Sequence, residues 1–100
     1  MKCGGYSKVE ANPELIELVH KLKDDLELSL IEEGRNGRIE ALEILEAYQQ
    51  VVAGLNYWFK LKLQENGEEC IFIKVFRDLG DNITIKEIVS NKKVSDILEF

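Results

Sequence analysis

Thiol chemistry is the first possibility this chain raises. It has two cysteines, Cys3 in a glycine-rich start and Cys70 in an apolar alternating run, and one histidine, His20. A cysteine nucleophile needs a base within hydrogen-bond reach and a third group to orient that base. His20 falls within a helical pattern, four residues before Asp24, and neither cysteine is placed to use it. No second histidine or cysteine stands at metal-ligand spacing, so His20 is read as a surface side chain beside a carboxylate. Gly-x-Gly-x-x-Gly, P-loop and His-Glu-x-x-His patterns are all missing from the sequence, so neither an enzyme nor a cofactor is expected. Cys70 reads as a small buried hydrophobe. Cys3, in a tail, is expected to be exposed and open to oxidation or to pairing with another chain.

A different kind of chemistry is suggested by Gln50-Val51-Val52-Ala53-Gly54. These residues offer no acid, base or nucleophile. They offer small apolar side chains beside a glycine that permits a tight reversal, which suits contact better than catalysis. Taken alone, the run also suits an ordinary apolar strand end.

The elements that must hold such a run follow from periodicity. The 100 residues are 45% apolar and contain one proline, which suits a single domain over residues 1–100. Thirteen Lys and Arg against nineteen Asp and Glu give a net charge of −6, so there is no field to attract a phosphate backbone and nucleic acid is an unlikely partner. The start, Met1 to Lys8, lacks the apolar run of a secretory signal, and no stretch is long and apolar enough to span a bilayer. A cytoplasmic protein without a membrane partner is expected.

Asn12-Pro13-Glu14 marks a helix start: Asn as N-cap, Pro at the first helical position, acid in the first turn. Leu15, Leu18, Val19, Leu22, Leu26 and Leu30 then form one apolar stripe, predicting a single long helix to about Glu33. The glycines and Asn of Gly34–Arg38 end it. Beyond Gly54 the pattern changes to period two. Tyr57, Phe59, Leu61 and Leu63 alternate with Trp58, Lys60, Lys62 and Gln64, and Ile71, Ile73 and Val75 alternate with Phe72, Lys74 and Phe76. Asn66-Gly67 between them is the preferred pair for a type I′ hairpin. Asp78–Asn82 breaks the chain again before Ile83–Val89 and a closing piece, Val94–Phe100. Ile39–Tyr48 stays ambiguous: its Ala, Leu and Glu content favours helix, whereas Val51, Val52 and Gly54 just beyond favour a strand and turn. A helix followed by an antiparallel meander makes an α+β domain.

Several of these pieces coincide with a known pattern. Met1-Lys2-Cys3-Gly4-Gly5, the helix opening at Asn12-Pro13-Glu14, Gln50–Gly54 followed by Leu55-Asn56-Tyr57, and Lys74-Val75-Phe76 before a turn containing Leu79 occur in the same order in the stefins. The chain resembles this single-domain branch of the cystatins, inhibitors of papain-like cysteine proteases, across nearly its whole length. The resemblance implies a cystatin-like α+β fold, one long N-terminal helix wrapped by a four- to five-stranded antiparallel sheet. It also implies that Ile39–Gln49 is a strand despite its helical composition.

The resemblance further implies a reversible, tight-binding inhibitor that fills a protease cleft with a three-part wedge. Gly4 and Gly5 would let the tail pass the catalytic thiol, with Lys2 and Cys3 entering the acyl-side subsites. Gln50, Val51, Val52, Ala53 and Gly54 would form the middle, and Leu79 and Gly80 the third contact. Cathepsins and papain are the implied partners of a monomer, and the middle turn offers a hinge for a non-inhibitory domain-swapped dimer. Two positions depart from the pattern. Leu79-Gly80 stands where stefins usually carry Leu-Pro, which predicts a freer turn and binding weaker by on the order of 1 kcal/mol. Ala47 replaces a bulkier strand residue. A non-inhibitory or engineered binding module on the same fold is the alternative.

Overall fold

The computed structural model describes residues 6–34 and 38–100. The chain runs β1 (Ser7–Val9), α1 (Pro13–Lys21), α2 (Lys23–Glu32), β2 (Glu43–Val52), β3 (Gly54–Lys62), β4 (Glu69–Arg77) and β5 (Ile83–Lys93). The strands form one antiparallel sheet in the order β1-β2-β3-β4-β5. This is the α+β architecture the sequence implies.

Asn12 caps α1 as expected, its side-chain Oδ1 accepting the Leu15 N–H at 2.9 Å. All the stripe residues, Leu15, Leu18, Val19, Leu22, Leu26 and Leu30, are buried on the inner sheet face with Tyr57, Phe59, Leu61, Leu63, Ile71, Ile73 and Val75. The expected single helix is broken, however. At Leu22 the backbone N–H turns back to the Val19 carbonyl, three residues away, before α2 resumes. No Pro or Gly marks this bend. The stripe stays buried on both sides of it, so the helical segment follows the twisted sheet without losing apolar contact.

Two further expectations are corrected. The strand begins at Glu43, not Ile39. Ile39 is buried, and its N–H donates to Glu27 Oε2 at 2.9 Å, so Ile39–Leu42 is a connection pinned to the helix. Asn66-Gly67 is not a type I′ turn, because neither residue has the positive φ that turn requires. A longer connection joins β3 to β4, closed by the Leu63 N–H on the Glu69 carbonyl.

The outer sheet face also carries a core that alternation alone does not suggest. After β5 the chain folds back, and Leu98 is buried against Trp58 and Phe72. Lys60 lies beneath this strap, only 6% exposed. Its ammonium donates to the carbonyls of Val94 and Asp96 and pairs with Glu46 at 3.6 Å, so its charge is fully partnered. Cys70 is a buried free thiol, as expected; burial pushes its pKa up, away from the reactive thiolate.

Candidate functional site

The ladder registers bring two turns to one end of the sheet. Val52 pairs with Gly54, leaving Ala53 alone between β2 and β3. Leu55 faces Val51 on one side and Arg77 on the other, and Arg77 in turn faces Ile83 across β4 and β5. The turn at Ala53 and the turn at Asp78–Asn82 are therefore neighbours. Ser7 opposite Gln49 aims the N-terminal end of β1 the same way. Tyr6 packs on Trp58 with ring centroids 4.0 Å apart, fixing the last described residue before the tail. Gly4 and Gly5, with Lys2 and Cys3, lie outside the described residues.

Gly54 is required twice over. Its φ is +118°, a backbone conformation that side chains strongly disfavour. A Cβ there would also run into the Arg77 carbonyl oxygen and crowd the Phe76 ring. The first turn is thus pressed directly against the end of β4. Gln50, at its base, accepts from the Asn56 amide at 3.1 Å across the hairpin.

The tips are apolar and open to solvent. Val51 is 74% exposed, Val52 44% and Leu79 85%, with Ala53 exposed between the valines and the turn glycine. Branched aliphatic side chains this exposed gain little apolar burial from folding. Gathered at one edge, they make a contact surface whose burial by a partner would be favourable.

The second turn is not the loose one that Leu79-Gly80 suggests. Asp78 Oδ1 accepts the N–H groups of Gly80 at 2.8 Å and Asn82 at 2.9 Å, while Oδ2 accepts from the Asn82 side-chain amide at 3.1 Å. Backbone bonds from Asp78 N–H to Asn82 O and from Asp81 N–H to Asp78 O close the loop. A carboxylate thus restrains a turn that carries no proline. Sequence reading missed Asp78, although an Asp two residues before a glycine in a turn is a signal for this side-chain-to-backbone motif.

Two expectations follow. Gly80 has no positive φ, and a Cβ there meets only ordinary contacts, but its N–H is in use. Gly80→Pro should therefore loosen the turn through loss of that charge-assisted bond, seen as raised fast mobility of Leu79 in 15N relaxation. The hydrogen bonds from Asn82, first its N–H and then its amide, with that from Gly80, hold the Asp78 carboxyl below the usual carboxylate range. A lowered folded pKa gives stabilisation that is complete above the unfolded value of about 4 and is lost as pH falls through the folded one. The turn should hold through mildly acidic pH and loosen only below about pH 4. Titrating the Leu79 amide resonance by NMR checks this, with Asp78→Asn expected to remove the acid step.

Comparison with known proteins adds the following. Residues 4–95 match the family model of the Cystatin domain. Cystatin-A of Felis catus is 38% identical over 95% of this chain and 94% of its own length. Cystatin-B of Bos taurus is 34% identical over 100% of this chain and 99% of its own length. Leukocyte cysteine proteinase inhibitor 1 of Sus scrofa is 35% identical over 79% of this chain and 71% of its own length.

Proposed function

The chain belongs to the cystatin family, and from that premise we propose that it is a reversible, tight-binding inhibitor of papain-like cysteine proteases acting in the cytoplasm. The observation that carries the wedge is the pairing of two apolar, solvent-exposed tips on adjacent turns, Val51–Ala53 and Leu79.

Inhibition in this reading is occlusion. The edge enters the active-site cleft, buries Val51, Val52, Ala53 and Leu79 against its walls, and presents no carbonyl in line with the catalytic thiol. Gln50 and Gly54 shape the first turn, Gly80 belongs to the second, and Gly4 and Gly5 carry the tail past the nucleophile. No group on the inhibitor has to move a proton or form a bond. Affinity comes from apolar burial by turns already held in place: the first by the β2–β3 ladder and Gly54, the second by Asp78. Little conformational entropy is then lost on docking.

The monomer is the active form. Exchange of the helix and β2 between two chains would straighten the Ala53 turn into continuous strand and remove the middle contact. Titration of papain with a peptide substrate tests the proposal. Stoichiometric, reversible inhibition is expected, and no inhibition at micromolar concentration would favour a non-inhibitory binding module instead.

A further inference from the structure

We infer that Arg77 is the positioning residue that sets the second turn, and with it Leu79, at a fixed place relative to the first; this rests on the inhibitor reading of the edge. Arg77 is the last residue of β4 and meets both turns with different atoms. Its carbonyl oxygen occupies the space beside Gly54 that a Cβ would need, so its backbone is the surface on which the first turn rests. Its guanidinium turns towards the helix. Nε donates to Asp81 Oδ1 in the second turn at 3.1 Å, and Nη1 donates to Glu14 Oε1 in the first turn of α1 at 3.1 Å.

The geometry explains why an arginine suits this place. One planar group with several donors can hold carboxylates on two separate elements at once, which an ammonium on a flexible stem does poorly. Asp81 needs holding: its φ is +64°, left-handed backbone that a non-glycine residue adopts at a cost. Glu14, near the helix N-terminus, is itself favourably placed for a carboxylate. Ion pairs as exposed as these add little to global stability. Their effect is expected in the position of one turn and hardly at all in unfolding.

The test combines order in the free protein with a double-mutant cycle. Arg77→Gln keeps the stem and a donor but loses the fork and the charge; Asp81→Asn keeps tolerance of left-handed backbone and loses the charge. Both are expected to leave the thermal midpoint nearly unchanged, raise the fast mobility of Leu79 and Gly80 in 15N relaxation, and speed dissociation from papain about tenfold. In a Leu79→Ala background the same Arg77→Gln change should cost less than about twofold, because the residue through which it acts is gone. An equal loss in both backgrounds, or an unchanged Leu79 mobility, would overturn the inference. Loosening of the turn in both variants, together with a wild-type protein that does not inhibit papain, would uphold the positioning role and overturn the inhibitor reading.

Discussion

Gly54→Ala is expected to damage stability and inhibition together and to change the oligomeric state. At φ +118° an alanine is strained by about 1–3 kcal/mol, and its methyl would be driven into the Arg77 carbonyl. The hairpin can relieve both only by moving away from β4. That displaces Val51–Ala53 from Leu79, and an affinity loss of two decades or more is expected, each decade being about 1.4 kcal/mol. A further consequence concerns the swapped dimer. Once the turn is straightened into continuous strand, residue 54 needs only ordinary extended backbone, so alanine penalises the monomer and spares the swapped form. Size-exclusion after mild heating should show a larger dimer peak for the variant than for the wild type, with papain inhibition confined to the monomer peak. A variant as monomeric and as inhibitory as the wild type would contradict the place given to Gly54.

Val52→Asp is expected to separate function from folding. Val52 is 44% exposed at the end of β2, outside both apolar cores, so a carboxylate there stays hydrated in the free protein and the thermal midpoint should move little. In the complex the same carboxylate would be taken out of water without a partner, a cost of several kcal/mol. Inhibition should fall by a thousandfold or more while circular dichroism and unfolding remain as in the wild type. The same substitution at Ile73, buried in the inner core, would instead unfold the protein. Contrasting the two distinguishes a contact residue from a packing residue.

Much of the fold is written in the sequence as periodicity, and the misreadings have physical causes. The helix stripe and the alternation in β3 and β4 survive because each element buries one face against the same core. β2 could not be read locally. Ile39–Tyr48 has helix-forming composition, and only pairing with β3 and the short β1 makes its backbone extended. Lys60 falls on the polar side of its strand by alternation, yet it is buried. Nothing local to it shows that Val94–Leu98 returns over that face to supply carbonyls for its ammonium. Asn66-Gly67 carries a strong hairpin signal that lost to a longer connection.

The candidate site divides the same way. Gln50–Gly54 is contiguous, so the turn itself is legible in the sequence, and the φ of Gly54 gives that turn a physical reason. The second turn reads as loose from Gly80, where a proline is usual, whereas the Asp78 carboxylate restrains it. Arg77 was invisible because its partner Glu14 stands 63 residues earlier in the chain. Contacts of that span arise only when the helix start is laid beside the end of β4.

One edge of the sheet, built from the Gln50–Gly54 and Asp78–Asn82 turns, is proposed as the surface that meets the protease. Backbone amide exchange of the protein, free and mixed with papain, tests that placement. Protection is predicted at residues 50–54 and 78–82, with the exposed faces of α1 and α2 unchanged. Protection on the helix, with both turns exchanging as in the free protein, would contradict it.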